Sequence, residues 1–139
     1  MTPIELARQE WEANTTPCPK VHTWRRGDFI VEFRKYGSAI AFLKWDNAQY
    51  IEISKFEKLP NAKRHDPTRL IEFLKMLSGK YKVQLFGNPV KYQPAPPTPI
   101  EPLRSQEDLE NWYRKLGFTV QGINECLIPQ MWFPNPPNV

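Results

Sequence analysis

Only six glycines and two cysteines occur in this 139-residue chain, and no apolar run is long enough to cross a bilayer. So few glycines leave little for phosphate loops that need several of them in one turn. Cys18 and Cys126 make no disulfide framework, and no CxxC or Cys/His spacing points to zinc. Cys18 reads as an ordinary loop thiol and Cys126 as a buried one, rather than as nucleophiles. No segment approaches the roughly eighteen apolar residues of a membrane span. Residues 1–14 are amphipathic and acidic, without the basic start and apolar run of a signal peptide. A soluble, cytoplasmic protein with no membrane partner is expected.

Proline is plentiful, with 15 residues, and hydrophobic residues at 40% are enough to build a core. One domain spanning residues 1–139 is expected. The prolines cluster at 94–102 and again at 129–137. They mark an insertion over about 93–104 and an extended tail over about 134–139, both outside regular structure. The net charge of +4 is also uneven, because residues 20–92 hold 15 Lys/Arg against 7 Asp/Glu while both flanks are acidic. A basic middle favours an anionic partner there, or is a solvated surface.

Ile4, Ala7 and Trp11 have helical spacing after Thr2–Pro3, with Leu6 off the stripe, which predicts a helix over about 3–13. Asp28–Tyr36, Ala39–Trp45 and Gln49–Phe56 read as strands joined by tight turns, an antiparallel meander. A basic loop follows, then a helix capped by Asp66, with Pro67 in its first position and Gly79 as its terminator. Leu70, Ile71, Phe73, Leu74 and Leu77 form its apolar stripe. Tyr81–Phe86 reads as a fourth strand with Tyr81, Val83 and Leu85 on one face. After the Pro-rich stretch a helix starts at Ser105, with Asp108 at the capping-box position and Gly117 as its end. Leu109, Trp112, Tyr113 and Leu116 are its apolar face, and Phe118–Val120 and Cys126–Phe133 read as short strands. The fold class is α+β with a mixed sheet.

This element order, with Trp112-Tyr113-Arg114-Lys115-Leu116-Gly117-Phe118, resembles the GNAT superfamily of N-acetyltransferases, including divergent phage-encoded members. Tyr113, Gly117 and Phe118 stand where that family has a Tyr-x-x-x-Gly-Phe phrase closing a late helix. The resemblance implies a mostly antiparallel central sheet with flanking helices. It also implies acetyl-CoA or another acyl-CoA as donor, an amine as acceptor, and direct attack of the neutral amine. By this resemblance Tyr113 is the general acid and Glu52 the general base. Read from the residues alone, Tyr113 is also a core tyrosine and Glu52 an exposed strand carboxylate on a face with Tyr50, Ser54 and Phe56.

The resemblance further assigns the pantetheine arm to the strand carrying Phe56 and Lys58, where neighbouring strands splay. It assigns the diphosphate to Lys63, Arg64, His65, Thr68 and Arg69, and a polar contact to Asn88, which otherwise reads as a turn residue. Asp66 and Thr68 stand where the family has glycines, so a carboxylate falls beside the diphosphate position. The alternative is a GNAT-like binding module without catalysis, turning its basic face to a protein or a nucleic acid. Trp24-Arg25-Arg26, Arg34-Lys35-Tyr36 and Lys80-Tyr81-Lys82 carry the nucleic-acid reading by mixing charge with aromatic rings. His22 and His65 read as surface or capping residues. The final strands leave dimerisation open.

Overall fold

The computed structural model describes residues 1–18, 33–59, 63–90 and 105–135, and the backbone alone at 24–26, 29–31 and 98–99. His22, the side chains of Trp24-Arg25-Arg26, the prolines at 94–97 and the last four residues lie outside the described residues. Among the described residues three helices and ten strands follow one another: α1 (Pro3–Ala13), β1 (Thr16–Pro17), β2 (Trp24–Arg26), β3 (Phe29–Val31), β4 (Arg34–Tyr36), β5 (Ala39–Lys44), β6 (Tyr50–Lys58), α2 (Asp66–Tyr81), β7 (Gln84–Gly87), β8 (Thr98–Pro99), α3 (Gln106–Lys115), β9 (Thr119–Gln121) and β10 (Gln130–Phe133). The class is α+β, with a mostly antiparallel main sheet in the order β1-β4-β5-β6-β7-β10-β9. β8 joins this sheet beside β6, while β2 and β3 form a separate hairpin.

α1 starts as its sequence demands: the Thr2 hydroxyl accepts from the Glu5 N–H, and Pro3 occupies the first turn. Ile4, Ala7 and Trp11 are its buried face and Leu6 is exposed. Its far end is tied down by Arg34, whose guanidinium donates to the carbonyls of Glu12 and Thr15 and to the Thr15 hydroxyl. Carbonyls that a helix end leaves without intrahelical donors are thereby satisfied. Glu10 binds α1 to α2, its carboxylate accepting from Lys80 Nζ and the Tyr81 hydroxyl, both at 2.6 Å. These two donors hold the Glu10 carboxyl below its ordinary pKa.

The core lies against one face of the sheet. Ala39, Ala41, Leu43, Ile51, Ile53, Leu85 and Met131 face residues from all three helices, among them Trp11, Leu70, Leu74, Leu77 and Leu109. On the opposite face a smaller group gathers Cys18, Phe33, Ile40 and Phe42. Tyr50, Phe86 and Trp132 make a second aromatic cluster, with ring centroids 4.4–5.5 Å apart. The two phases of β5 therefore bury different things, as a period of two requires.

Asp28–Tyr36 is two strands, β3 and β4, in different sheets, and Trp24–Arg26 is a further strand. The cysteines are reversed: Cys18 is buried in the smaller cluster and Cys126 is half-buried. Within the Pro-rich insertion, Thr98–Pro99 pairs with β6, so that insertion is not wholly outside regular structure. Tyr81 belongs to α2 rather than to the following strand, and the strand after Gly117 begins at Thr119. Cys126–Phe133 contracts to Gln130–Phe133.

α2 also runs past Gly79. The left-handed residue that ends it is Lys82, at φ 55° and ψ 44°, and the N–H groups of Lys82 and Val83 both reach the Ser78 carbonyl. That conformation costs an L-residue roughly 1–2 kcal/mol. Gly79 lies inside the helix with open space around its missing Cβ. Gly79→Ala should therefore raise stability by about 0.5–1 kcal/mol. Lys82→Gly should also stabilise, by about 0.5 kcal/mol after the glycine's entropy is counted. Urea denaturation measures both, and a loss of stability at either site would place the helix end elsewhere.

Candidate functional site

β6 is the hinge of the site. Its β5 edge is paired antiparallel throughout, from Lys44↔Glu52 to Ala39↔Lys58. Phe42 faces Lys55 and Leu43 faces Ile53, so Ser54 is an extra residue, a β-bulge. Ile51 and Ile53 point into the core, and without the bulge Lys55 would follow them. Ser54 shifts the phase, so that Phe56 turns inward at 1% exposure. Lys55 and Glu57 then point to the other face, where they form an ion pair at 3.2 Å.

On its other edge β6 runs parallel to β7, with Tyr50↔Gln84 through Ile53↔Gly87 in register. Beyond that pair the strands part. Gly87 lies so close to β6 that an added Cβ would fall 3.1 Å from the Ile53 carbonyl oxygen and 2.6 Å from Met131 Cε. Past Gly87, Asn88 donates through Nδ2 to the Pro129 carbonyl, and Gln106 Nε2 donates to the Pro89 carbonyl. Both bonds draw the chain away from β6.

The parting opens a cleft of about 420 Å³. Its β6 wall is Ile53–Phe56 and its β7 wall Asn88–Val90. Leu109 and Tyr113 of α3 and Met131 of β10 close the bottom. Tyr113 is 3% exposed, held edge-on against Trp112 and Phe118. α3 itself is anchored by Ser105, whose hydroxyl accepts from the Asp108 N–H. A buried carboxylate, Glu110, accepts from Gln106 Nε2 and the Ile123 N–H, linking α3 to the turn after β9. Gln106 thus joins the cleft wall at Pro89 to this buried carboxylate.

The basic residues form a second, separate group. Lys63, Arg64, His65, Thr68 and Arg69 are all exposed around the start of α2. Asp66 does not cap that helix: His65 holds the cap position, with no side-chain bond, and Asp66 is the first helical residue. Its Oδ2 accepts instead from the Ser38 N–H at 2.9 Å and the Ser38 hydroxyl at 2.7 Å. Gly37, at φ 61°, makes room for this, because a Cβ there would lie 2.6 Å from Asp66 Oδ2. The Ser38 hydroxyl accepts in turn from the Lys63 N–H at 2.9 Å. The Ser38 bonds, and secondarily Arg69 and Lys63, lower the Asp66 pKa below its ordinary value.

The sequence-predicted residues therefore separate. Tyr113, Phe56 and Asn88 meet at the cleft. Lys58 lies at the end of β6 that leads from the cleft towards the basic loop. Glu52 is outside the cleft lining, paired to Lys44 at 3.5 Å, and the bulge puts Phe56 on the opposite face from it. Sequence reasoning missed Ser54 and Met131. The break in spacing from Ile51 and Ile53 to Phe56 is a readable sign of the bulge; nothing in the order of strands announced that β10 would sit beside β7.

The two basic–aromatic groups that lie within the described residues make internal contacts. Arg34 holds α1, Tyr36 stacks on Phe73 with centroids 5.2 Å apart, and Lys80 and Tyr81 hold Glu10. Among the described residues no helix is long and apolar enough to cross a membrane. No family model matches the chain, and no curated protein or solved structure shows significant similarity to it.

Asp66→Ala should cost about 1–3 kcal/mol, the usual loss for a buried charged hydrogen bond. Because its folded pKa is lowered, the stabilisation by Asp66 is full above the unfolded carboxylate pKa of about 3.9 and is lost as pH falls through the folded value. Urea denaturation between pH 6 and pH 2 should thus show a shallower acid loss in Asp66→Asn than in the wild type. Equal acid sensitivity would mean that the contact with Ser38 contributes nothing.

Proposed function

We propose that this chain is an N-acyltransferase of GNAT-like fold, a single domain that uses acetyl-CoA or another acyl-CoA to acylate an amine. One observation carries the reading: the parallel pair that the described residues show in the main sheet parts at a bulge, and the cleft so opened is lined by Tyr113. Support also comes from the strand order, in which β10 is inserted between β7 and β9.

The residues fit the group unevenly. An extended arm lying along Ser54–Phe56 would reach Lys58 and then the basic loop. Five exposed cations or hydrogen-bonding groups, Lys63, Arg64, His65, Thr68 and Arg69, suit phosphate oxygens. Asp66 interferes less than its position suggests, because Ser38 holds its carboxylate. The backbone is less suited: the Lys63 N–H is given to Ser38 and the Asp66 N–H to the Lys63 carbonyl. Side chains would therefore hold the phosphates where a glycine loop uses its amides.

When bound, an acyl-CoA supplies a thioester carbonyl open to attack by a neutral amine. Tyr113 holds a proton at its hydroxyl for the departing sulfur. Its ring is 3% exposed and lines the cleft beside Phe56 and Met131, which would exclude water there. Glu52 lies too far round the strand to line the cleft, so it takes the amine proton only through solvent. A second reading, a binding module without catalysis, is favoured by one feature: β8 covers the β6 edge at Glu57–Lys58.

Thermal unfolding with acetyl-CoA, desulfo-coenzyme A and adenosine diphosphate tests binding. A ligand at 100 times its dissociation constant adds about 2.7 kcal/mol. No shift at millimolar acetyl-CoA would defeat the acyltransferase reading, and a salt-sensitive shift with DNA or RNA would favour the second. For catalysis, Tyr113→Phe should lower kcat by about 10²–10⁴-fold with little loss of stability. An unchanged kcat would leave Tyr113 a core residue.

A further inference from the structure

We infer that Thr98–Pro99 is a strap on the ligand's own path, which must leave β6 before an extended cofactor can occupy the whole edge. The inference rests on the acyl-CoA reading of the cleft. β6 has two edges, and β5 takes one of them as far as Lys58. β8 pairs antiparallel with Glu57 and Lys58, so it lies on the remaining edge, the one that carries β7 at Tyr50–Ile53. The cleft opens on the same edge, between these two partners, at Ser54–Phe56.

Any extended molecule that starts beside Tyr113 and ends at Lys63–Arg69 must pass Glu57 and Lys58. Ala39, the partner of Lys58, adjoins Ser38, and Ser38 contacts both Lys63 and Asp66. These contacts, on the β5 side, fix the basic loop at the Lys58 end of β6, and on the opposite edge β8 stands between the cleft and that end. A short ligand confined to the cleft does not meet the strap; one long enough to place phosphates on the basic loop does.

The strap is suited to leaving. It is two residues long, and Pro99 has no backbone N–H to give to β6. The same edge that accepts Thr98–Pro99 would then accept the ligand in its place, so the two exclude each other. Apparent affinity for a long ligand is reduced by the fraction of molecules with the strap in place.

A disulfide lock tests this. Thr98 and Lys58 are cross-strand partners, so Thr98→Cys with Lys58→Cys, in a Cys126→Ser background, should crosslink on oxidation. Calorimetry with desulfo-coenzyme A then compares the oxidised and reduced forms of the same variant. The oxidised form should bind at least tenfold more weakly, and pantetheine, which lacks the nucleotide, should show a smaller difference. Equal binding of desulfo-coenzyme A would overturn the strap and leave the acyl-CoA reading standing, and so would failure to crosslink. A second variant with Lys58 intact, Thr98→Gly with Pro99→Gly, should bind desulfo-coenzyme A at least threefold more tightly than the wild type; unchanged affinity there also overturns the strap. If the wild type itself shows no binding, the acyl-CoA reading fails and the strap falls with it.

Discussion

Pairing β6 and β7 in parallel obliges the chain to cross the sheet between them, and α2 is that crossover. An antiparallel pair closes with a tight turn, but a parallel pair needs a dozen or more connecting residues. The crossover can be stable only if its helix buries one face. Leu70, Ile71, Leu74 and Leu77 are fully buried, and each large side chain so removed from water contributes about 1.5–3 kcal/mol before chain entropy is subtracted. The start of α2 is fixed by Asp66 on the turn between β4 and β5, and its end by the bonds of Lys82 and Val83 to Ser78. The register of β7 against β6 follows from that length. The parting of the two strands then depends on events just past the register: a bulge on one side, and two side-chain bonds pulling on the other.

Asp66 shows how the same residue can be misread by position and understood by contact. As the first residue of a helix it sits in a favourable field, since the N-terminus carries partial positive charge. Two donors from Ser38 then take up its charge. A carboxylate satisfied in this way adds less repulsion towards an approaching anion than an unpaired one would. Gly37 is the enabling residue, because only a position without Cβ, in the left-handed region, lets the carboxylate reach the turn. The glycine missing from the basic loop and the glycine present in the turn belong to one arrangement.

The helices were legible because their signals are local. Thr2–Pro3, Ser105 with Asp108, and the stripes of Ile4–Trp11 and Leu70–Leu77 state their own period and caps. The β4-β5-β6 meander was legible for the same reason, though not the division of its first predicted strand into β3 and β4. The failures come where a distant partner decides. Gly79 carries the usual stop signal, yet the packing of Leu77 and Ser78 keeps the helix going until Lys82. Cys126 has apolar neighbours in sequence, but Leu127 is 92% exposed and Ile128 62%, so the loop that carries them faces outward. Of the cleft lining, Leu109 and Tyr113 were readable as buried positions from the stripe of their helix. Glu52 was assigned by the resemblance, with alternation placing Phe56 on its face, and a single bulge at Ser54 was enough to separate the two.

Among the described residues, the end of β6 joins the cleft to the basic loop. Each is built by different means: the cleft by packing and bonds that hold two strands apart, the basic loop by long side chains in solvent. Packing fixes geometry, whereas exposed charges fix little, because their side chains move and salt screens them beyond about 8–10 Å. On the acyl-CoA reading, position would be set by the cleft and the edge of β6, with the phosphates held loosely. Specificity along this path must then come from its narrow middle, where Glu57 and Lys58 already have an extended segment of the chain beside them. A two-residue strand that includes a proline would be a weak partner there, and on the same reading its weakness would leave the path available.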